Sequence, residues 1–277
     1  MSESLHDRYT RFVRDVPRHT DTIDGLPWSW IEAGSGSTAL VVLPGAVGGA
    51  GLFFVLFQDL SALIRLVGVD VPYVADAGST LEQLEALLRA RGVERAIFLG
   101  ASFSGLLVQA FAGRYPGRTR ALILSHTGPL DPSRAPKERG YARRAAKIPA
   151  GLLRGMLRLL VRLLVRRTDE RAFWIRRYDE ALAPLTRESM VSRYSLAASL
   201  DELSGGMPAP TAWHGDVLVI HSNNDRVTKP QDQARLRDVY PQAQWHEFSG
   251  TGHSSYSQRP EAYAAVVRGF IERVLAS

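Results

Sequence analysis

Short apolar runs alternate with longer amphipathic stretches along most of the chain. "TALVVLPG" (38–45) is apolar at nearly every position, as a strand buried on both faces requires. "WSWIEAG" (28–34), "RLVGVDVP" (65–72), "RAIFLG" (95–100), "RALILSHTG" (120–128), "GDVLVIHS" (215–222) and "AQWHEFSG" (243–250) are further strands. Between them, "FVLFQDLSALI", "STLEQLEALLRARG" (79–92), "FSGLLVQAFAGRYP" and "QDQARLRDVYP" carry helical spacing, and a closing helix runs from Pro260. Ser79 is the expected N-cap of the second of these, with Gly92 just past its end. Strands alternating with helices predict an α/β fold: a mostly parallel central sheet with helices on both faces.

One segment breaks this rhythm. From about Pro129 to Pro210 there is no strand-like run, only several helices, between two buried strands. The expected organisation is a core of residues 1–128 and 211–277 with a helical cap inserted at 129–210.

Sites in α/β sheets lie beyond the carboxyl ends of the strands. "AIFLGASFSGLL" ends a strand on Ser102, flanked two positions away by Gly100 and Ser104, with Gly105 next. That spacing fits a nucleophile elbow, where strand and helix nearly touch and the serine takes a strained conformation exposing its hydroxyl. The glycine that usually closes G-x-S-x-G is Ser104 here, and an ordinary loop of small residues is the competing reading. The strand "VLVIHS" runs into "NNDRVTKP", with Asp225, and "WHEFSG" into "TGHSSYS", with His253. A serine hydroxyl needs a base, imidazole can serve near neutral pH, and a carboxylate fixes the imidazole tautomer. Asp216 opens its strand and Asp232 falls in the following helix, so Asp225 is preferred. His6, His19, His126, His214, His221 and His246 read as core or surface histidines, although His126 and His221 stand near strand ends and could line the pocket. Oxyanion donors are expected from the main-chain amides of Phe103 and of Ala46, with Val47 next, in "PGAVGGAG". No phosphate-loop or dinucleotide glycine pattern occurs there.

The order Ser, Asp, His is that of α/β-hydrolases, and the chain outside the insertion resembles that superfamily. Within it, "YTRFVRDVP", "WSWIEAG", "FLGASFSGLLVQAFA" and "LRDVYPQAQWHEFSGTG" are most similar to maspardin-type proteins. Maspardin lacks a histidine at the position of His253 and is a binding protein, whereas this chain has "GTGHSS". The resemblance therefore implies a carboxylesterase-like serine hydrolase and keeps a non-catalytic interaction protein open. Lactone opening, acyl transfer and carbon–carbon hydrolysis on the same triad also stay open, because fold and triad do not name a substrate.

Composition narrows the rest. The 277 residues contain no cysteine, which excludes disulfides, thiolate metal sites and a cysteine nucleophile. Neither a cofactor nor a metal is expected. The polar first twenty residues lack a signal-peptide core, and no run of 18 uncharged apolar residues occurs, so the expected location is the cytoplasm. The net charge is +6, yet residues 134–177 alone hold 14 Arg and Lys against 3 acids. In "GLLRGMLRLLVRLLVRR" (151–167), Arg154, Arg158, Arg162 and Arg166 form an oblique stripe on a Leu/Val helix. The favoured expectation is a lid with its apolar face over the site and its arginines in solvent. The alternative is weak contact with an anionic membrane or an amphiphilic acyl substrate. No nucleic-acid module is present, so the expected partner is a small, partly apolar acyl compound; the oligomeric state is left open.

Overall fold

The computed structural model describes residues 3–72, 74–165, 170–206, 213 and 215–277. Among them, β1 (Arg18–Ile23), β2 (Leu26–Ala33), β3 (Ala39–Leu43), β4 (Arg65–Asp70), β5 (Ala96–Ala101), β6 (Thr119–Ser125), β7 (Asp216–Ser222) and β8 (Gln244–Phe248) form one sheet. Their order is β1-β2-β4-β3-β5-β6-β7-β8. The first two pairings are antiparallel and the rest parallel. The expected α/β architecture is present.

The pleat explains why the central strands are apolar throughout. Leu40 and Val42 of β3 enter one apolar cluster, and Ala39, Val41 and Leu43 enter the other. The first cluster is closed by α1 (Leu5–Asp15), α2 (Phe54–Leu60) and α11 (Pro260–Ala276). The second is closed by α3 (Ala77–Ala90), α4 (Phe103–Arg114) and α9 (Pro230–Val239). A single turn, α10 (Ser255–Gln258), precedes α11.

Two details differ from the expectations. The helix expected to begin at Ser79 begins at Ala77, and its N-cap is Asp76, whose carboxylate accepts the Ser79 amide. Ser79 sits at the third helical position, where its amide is one of the orphan donors a cap must satisfy. The polar N-terminus contains α1 and β1, which the apolar pattern did not indicate. Strand β1 is exposed along nearly its whole length, so it has no buried face to mark it. It pairs with β2 through the two-residue turn Asp24-Gly25, with φ of 47° and 79°, the left-handed pair of a type I′ hairpin.

Between β6 and β7 stand α5 (Ala135–Ala145), α6 (Ala150–Leu164), α7 (Arg171–Leu182) and α8 (Arg187–Ser204). This insertion shares the core's clusters. Phe173, Trp174, Tyr178 and Leu182 of α7 join the α2 side, while Leu196, Ala197 and Leu200 of α8 join the α4 side. Helix α8 is tied to the segment entering the insertion by a buried ion pair. The Asp201 carboxylate, fully buried, accepts the Arg134 guanidinium at 2.7 and 2.9 Å and the Asp131 amide at 3.0 Å. Burial pushes the Asp201 carboxyl up, against the hydrogen bonds from Arg134. Removing one partner of such a pair strands a buried charge and costs about 3–5 kcal/mol, whereas an apolar pair of similar volume is often neutral. Arg134→Leu should therefore lower the melting temperature by on the order of 10 °C. The double variant Arg134→Leu/Asp201→Leu should recover most of it. Calorimetry on the three proteins checks this, and equal loss in single and double variants would refute it.

Candidate active site

Strand β5 passes into α4 through Ser102, whose φ is 51° and ψ −117°. A serine seldom adopts a positive φ, and the strain persists only where the surroundings enforce it. A Cβ on Gly100 would lie 2.5 Å from the Ser104 carbonyl oxygen and 2.8 Å from Gly105 Cα; one on Gly105 would lie 2.4 Å from the Thr127 side chain. Strand, helix and the end of β6 thus meet too closely for side chains. Ser104, in place of the usual glycine, uses its hydroxyl: it donates to the Pro44 carbonyl oxygen.

The structure brings Ser102, His253 and Asp225 together. Ser102 Oγ lies 2.8 Å from His253 Nε2, and His253 Nδ1 lies 2.8 Å from Asp225 Oδ2. The carboxylate can only accept, so His253 donates through Nδ1–H and its Nε2 accepts the serine hydroxyl. The loop carrying His253 is held from the β7 side. Asn224 Oδ1 accepts the Gly252 amide at 2.8 Å and Asn223 Oδ1 accepts the Gly250 amide at 3.1 Å. Both glycines have positive φ. The Asn pair preceding Asp225 therefore places the histidine loop, a role that the sequence analysis did not assign. Asp232 instead accepts the Lys229 amide at the start of α9, and Asp216 opens β7.

The proposed oxyanion donors flank Ser102. Phe103 is the first residue of α4, so its amide has no acceptor within the helix. The loop carrying Ala46 is pinned by the Ser104–Pro44 bond, and a Cβ on Gly45 would lie 3.4 Å from Ser102 Cβ. The Ala46 amide makes no hydrogen bond to any described residue. From the insertion, Arg193 of α8 lies 5.5 Å over the Phe103 ring. Tyr178 of α7 bonds the Tyr256 hydroxyl at 2.6 Å, three residues past His253. Helices α7 and α8 thus contact the residues next to Ser102 and His253 in the chain.

His126, one of the histidines read as core or surface residues, lies in the core. It is 2% exposed, follows β6 with φ of 51°, and directs Nδ1 at Asp225 Oδ2, 3.2 Å away. Its Nε2 lies 2.8 Å from Ser255 Oγ, which in turn bonds Thr251 Oγ1 at 2.7 Å. Two imidazoles therefore donate to one carboxylate oxygen, while Oδ1 accepts the amides of Val227 and Thr228 at 2.8 and 3.1 Å. Burial pushes the Asp225 carboxyl up, but the bonds from His126 and His253 outweigh it and hold the group well below the usual carboxylate range. Desolvation lowers His126 despite its bond to Asp225, so its imidazole stays neutral. His126, Asp225 and His253 present ligand-type atoms within 4.8 Å of one another, but those atoms are engaged in these hydrogen bonds. His221, beside Trp245 in β8, has no described bond to this network, and His214 lies outside the described residues.

Comparison with known proteins gives the family. A model of the alpha/beta hydrolase fold family matches residues 38–260. The 2-hydroxymuconate semialdehyde hydrolase of Pseudomonas putida is 29% identical over 196 residues, 69% of this chain and 67% of that protein. A pimeloyl-[acyl-carrier protein] methyl ester esterase of Cronobacter sakazakii is 26% identical over 251 residues, 84% of this chain and 93% of that protein. The solved structure of a thermophilic esterase from Thermogutta terrifontis superposes with a TM-score of 0.73 at 20% identity, over 93% of this chain and 99% of that one, a likeness of fold. Nothing in these relationships links the chain to maspardin-type proteins.

The shared carboxylate oxygen makes His126 testable. An Asp225 oxygen with one donor fewer attracts the imidazolium more strongly and is held less firmly. His126→Leu should lower kcat/KM of an activated ester at least about tenfold and move its acid limb up by roughly half a pH unit or more. His126→Asn, whose side-chain N–H can take the place of Nδ1–H, should restore most of both. Stability gives a second readout. His126 is depressed in the fold, so its contribution is present above the ordinary histidine value of about 6.5 and is lost as pH falls below it. His126→Asn should therefore lose less stability than the parent between pH 7 and 5. Identical pH profiles in Leu and Asn variants would assign His126 a packing role only.

Proposed function

The chain belongs to the α/β-hydrolase family and is an enzyme of that fold; on that premise we propose that it hydrolyses an ester or related acyl compound through Ser102, His253 and Asp225. One observation carries this reading: an unbroken hydrogen-bonded chain from Ser102 Oγ through His253 to Asp225, both links 2.8 Å, on a strained elbow. As the Ser102 oxygen attacks the acyl carbon, its proton passes to His253 Nε2. Asp225 stabilises the imidazolium through Nδ1–H and remains ionised, consistent with its depressed carboxyl. The amides of Phe103 and Ala46 receive the developing oxyanion. Collapse of the tetrahedral intermediate breaks the bond to the leaving group, which takes the proton from His253. Water then repeats the sequence on the acyl-enzyme, giving the acid and regenerating Ser102.

A second reading keeps the triad and changes the bond broken. The relative named a 2-hydroxymuconate semialdehyde hydrolase favours hydrolysis of a carbon–carbon bond next to a carbonyl. The non-catalytic alternative, an interaction protein of maspardin type, finds no support in a complete triad or in relatives that are hydrolases.

Ser102→Ala should reduce turnover of p-nitrophenyl acetate and butyrate by at least about a thousandfold. The melting temperature should shift by only a few degrees, since alanine needs no more room. A fluorophosphonate probe should label Ser102 in the parent, mapped by peptide mass. 2-Hydroxymuconate semialdehyde, run beside the esters, separates the two readings by kcat/KM. Unchanged ester turnover in Ser102→Ala, or a label on another residue, would overturn the assignment. Failure of the parent to react with the probe or any of these substrates would favour the non-catalytic protein.

A further inference from the structure

Helix α6 was expected to turn its apolar face inward, and it does so only in part. Leu153 and Val161 are buried, and Leu157 and Leu164 are half-buried. Leu152, Met156, Leu159, Leu160 and Leu163 point away from the protein, with exposures of 42–60%. At 100° per residue these five fall within an arc of about 100°, a continuous ridge along the helix. Only eight large apolar residues are exposed among the described residues, and five of them are here. Scattered exposed leucines need no explanation, whereas a contiguous row does.

The charge around the ridge is positive. Arg162 lies about 60° from the near edge of the ridge, and Arg158 about 100° and Arg154 about 140° from that same edge, so the stripe runs from the flank to the back of α6. Arg158 and Arg162 share a single carboxylate, Asp179, at 3.2 and 3.9 Å, and Arg154 donates to the Leu185 carbonyl oxygen. One acid therefore serves two of the three guanidinium groups, and the third has only a carbonyl oxygen. Just before α6, Arg143, Arg144 and Lys147 are exposed and pair with no described acid. Arg166, the fourth arginine of the stripe, lies outside the described residues.

We infer that α6 docks on an anionic membrane surface, with Leu152, Met156, Leu159, Leu160 and Leu163 entering the headgroup–acyl boundary and exposed Arg and Lys side chains of α6 and of the segment before it meeting lipid phosphates and carboxylates. A helix with an apolar ridge and a basic polar side is the form that interfacial anchors take. Pairing of two copies through this ridge fits less well. The seam is under four helical turns long, far less area than a stable interface requires, and a two-fold arrangement would bring like charges together. No helix among the described residues is long and apolar enough to cross a membrane, so the contact is a surface one.

The test is co-sedimentation of the whole protein with vesicles of phosphatidylcholine, alone or with phosphatidylserine, at low and physiological salt. Binding to the anionic vesicles should exceed binding to neutral ones at least about tenfold at low salt, and physiological salt should weaken it several-fold. Arg143→Gln/Arg144→Gln/Lys147→Gln should lower anionic binding by about tenfold or more. Leu159→Glu/Leu163→Glu should abolish binding at both salts. Both variants alter exposed residues, so melting temperature and turnover of a soluble p-nitrophenyl ester should match the parent. No pelleting with anionic vesicles at low salt would overturn the inference, as would full binding by the Leu-to-Glu variant. A dimer in sedimentation velocity that this variant dissolves, without vesicle binding, would replace the membrane with a second copy. Binding is read without turnover, so a protein inactive on every ester would leave this result standing.

Discussion

The close approach of β5 and α4 at Ser102 is the constraint on which the site depends. It holds a serine at a φ of 51° and leaves no room for a Cβ on Gly100 or Gly105. Strain of this kind costs of order 1–3 kcal/mol and survives only in a rigid frame. The frame is β3, β5, β6, β7 and β8, whose parallel ladders fix the loops carrying Ser102, Asp225 and His253. Ser104 adds a side-chain tie to Pro44, so the elbow and the loop carrying Ala46 move as one. An oxyanion site needs that coupling, because its amides must stand where charge develops and cannot reorganise during the step.

The Asp225 carboxylate is the second fixed point, and its environment differs in kind. Four donors surround it, two amides on Oδ1 and two imidazoles on Oδ2. A buried carboxylate with all these bonds keeps its charge without needing a cation beside it. His126 stays neutral because it is buried, which matters because its ring centroid is only 5.6 Å from that of His253. A protonated His126 would oppose the imidazolium that the proposed mechanism places on His253. Burial of the second histidine and ionisation of the acid are thus two sides of one arrangement.

Much of this was legible in the sequence, for identifiable reasons. The central strands announce themselves because both faces are buried, and Ser102, Asp225 and His253 stand at strand ends where topology makes the chain converge. Strand β1 was hidden because it is exposed, although Asp24-Gly25 is a hairpin signal that marks it. The cap of α3 was misplaced by three residues because Asp76 and Ser79 are both good caps and only the carboxylate's geometry chooses between them. His126 was undervalued because a histidine after a strand looks the same whether it faces solvent, core or carboxylate. Asn223 and Asn224 were passed over for a related reason: their partners are main-chain amides 27 and 28 residues away, which leave no trace in sequence.

The insertion shows a limit of another sort. Periodicity identifies α6 as a helix with an apolar side, but a helix has one such side whether it covers a core or meets something outside. What decides is the neighbouring packing. Helix α7 fills the space over α2 with Phe173 and Trp174, and α8 covers the α4 side with Leu196 and Leu200. With those positions occupied, α6 reaches the core only through Leu153, Val161 and the residues beside them, and the rest of its leucines face outward. The helix that looked most like a lid in sequence therefore turns much of its apolar side outward. Contacts with the elbow and with the histidine loop come instead from Arg193 of α8 and Tyr178 of α7. Helix α6 remains tied to α7 through Arg158, Arg162 and Asp179, so its outward leucines are the part of it that can change without disturbing the packing beneath.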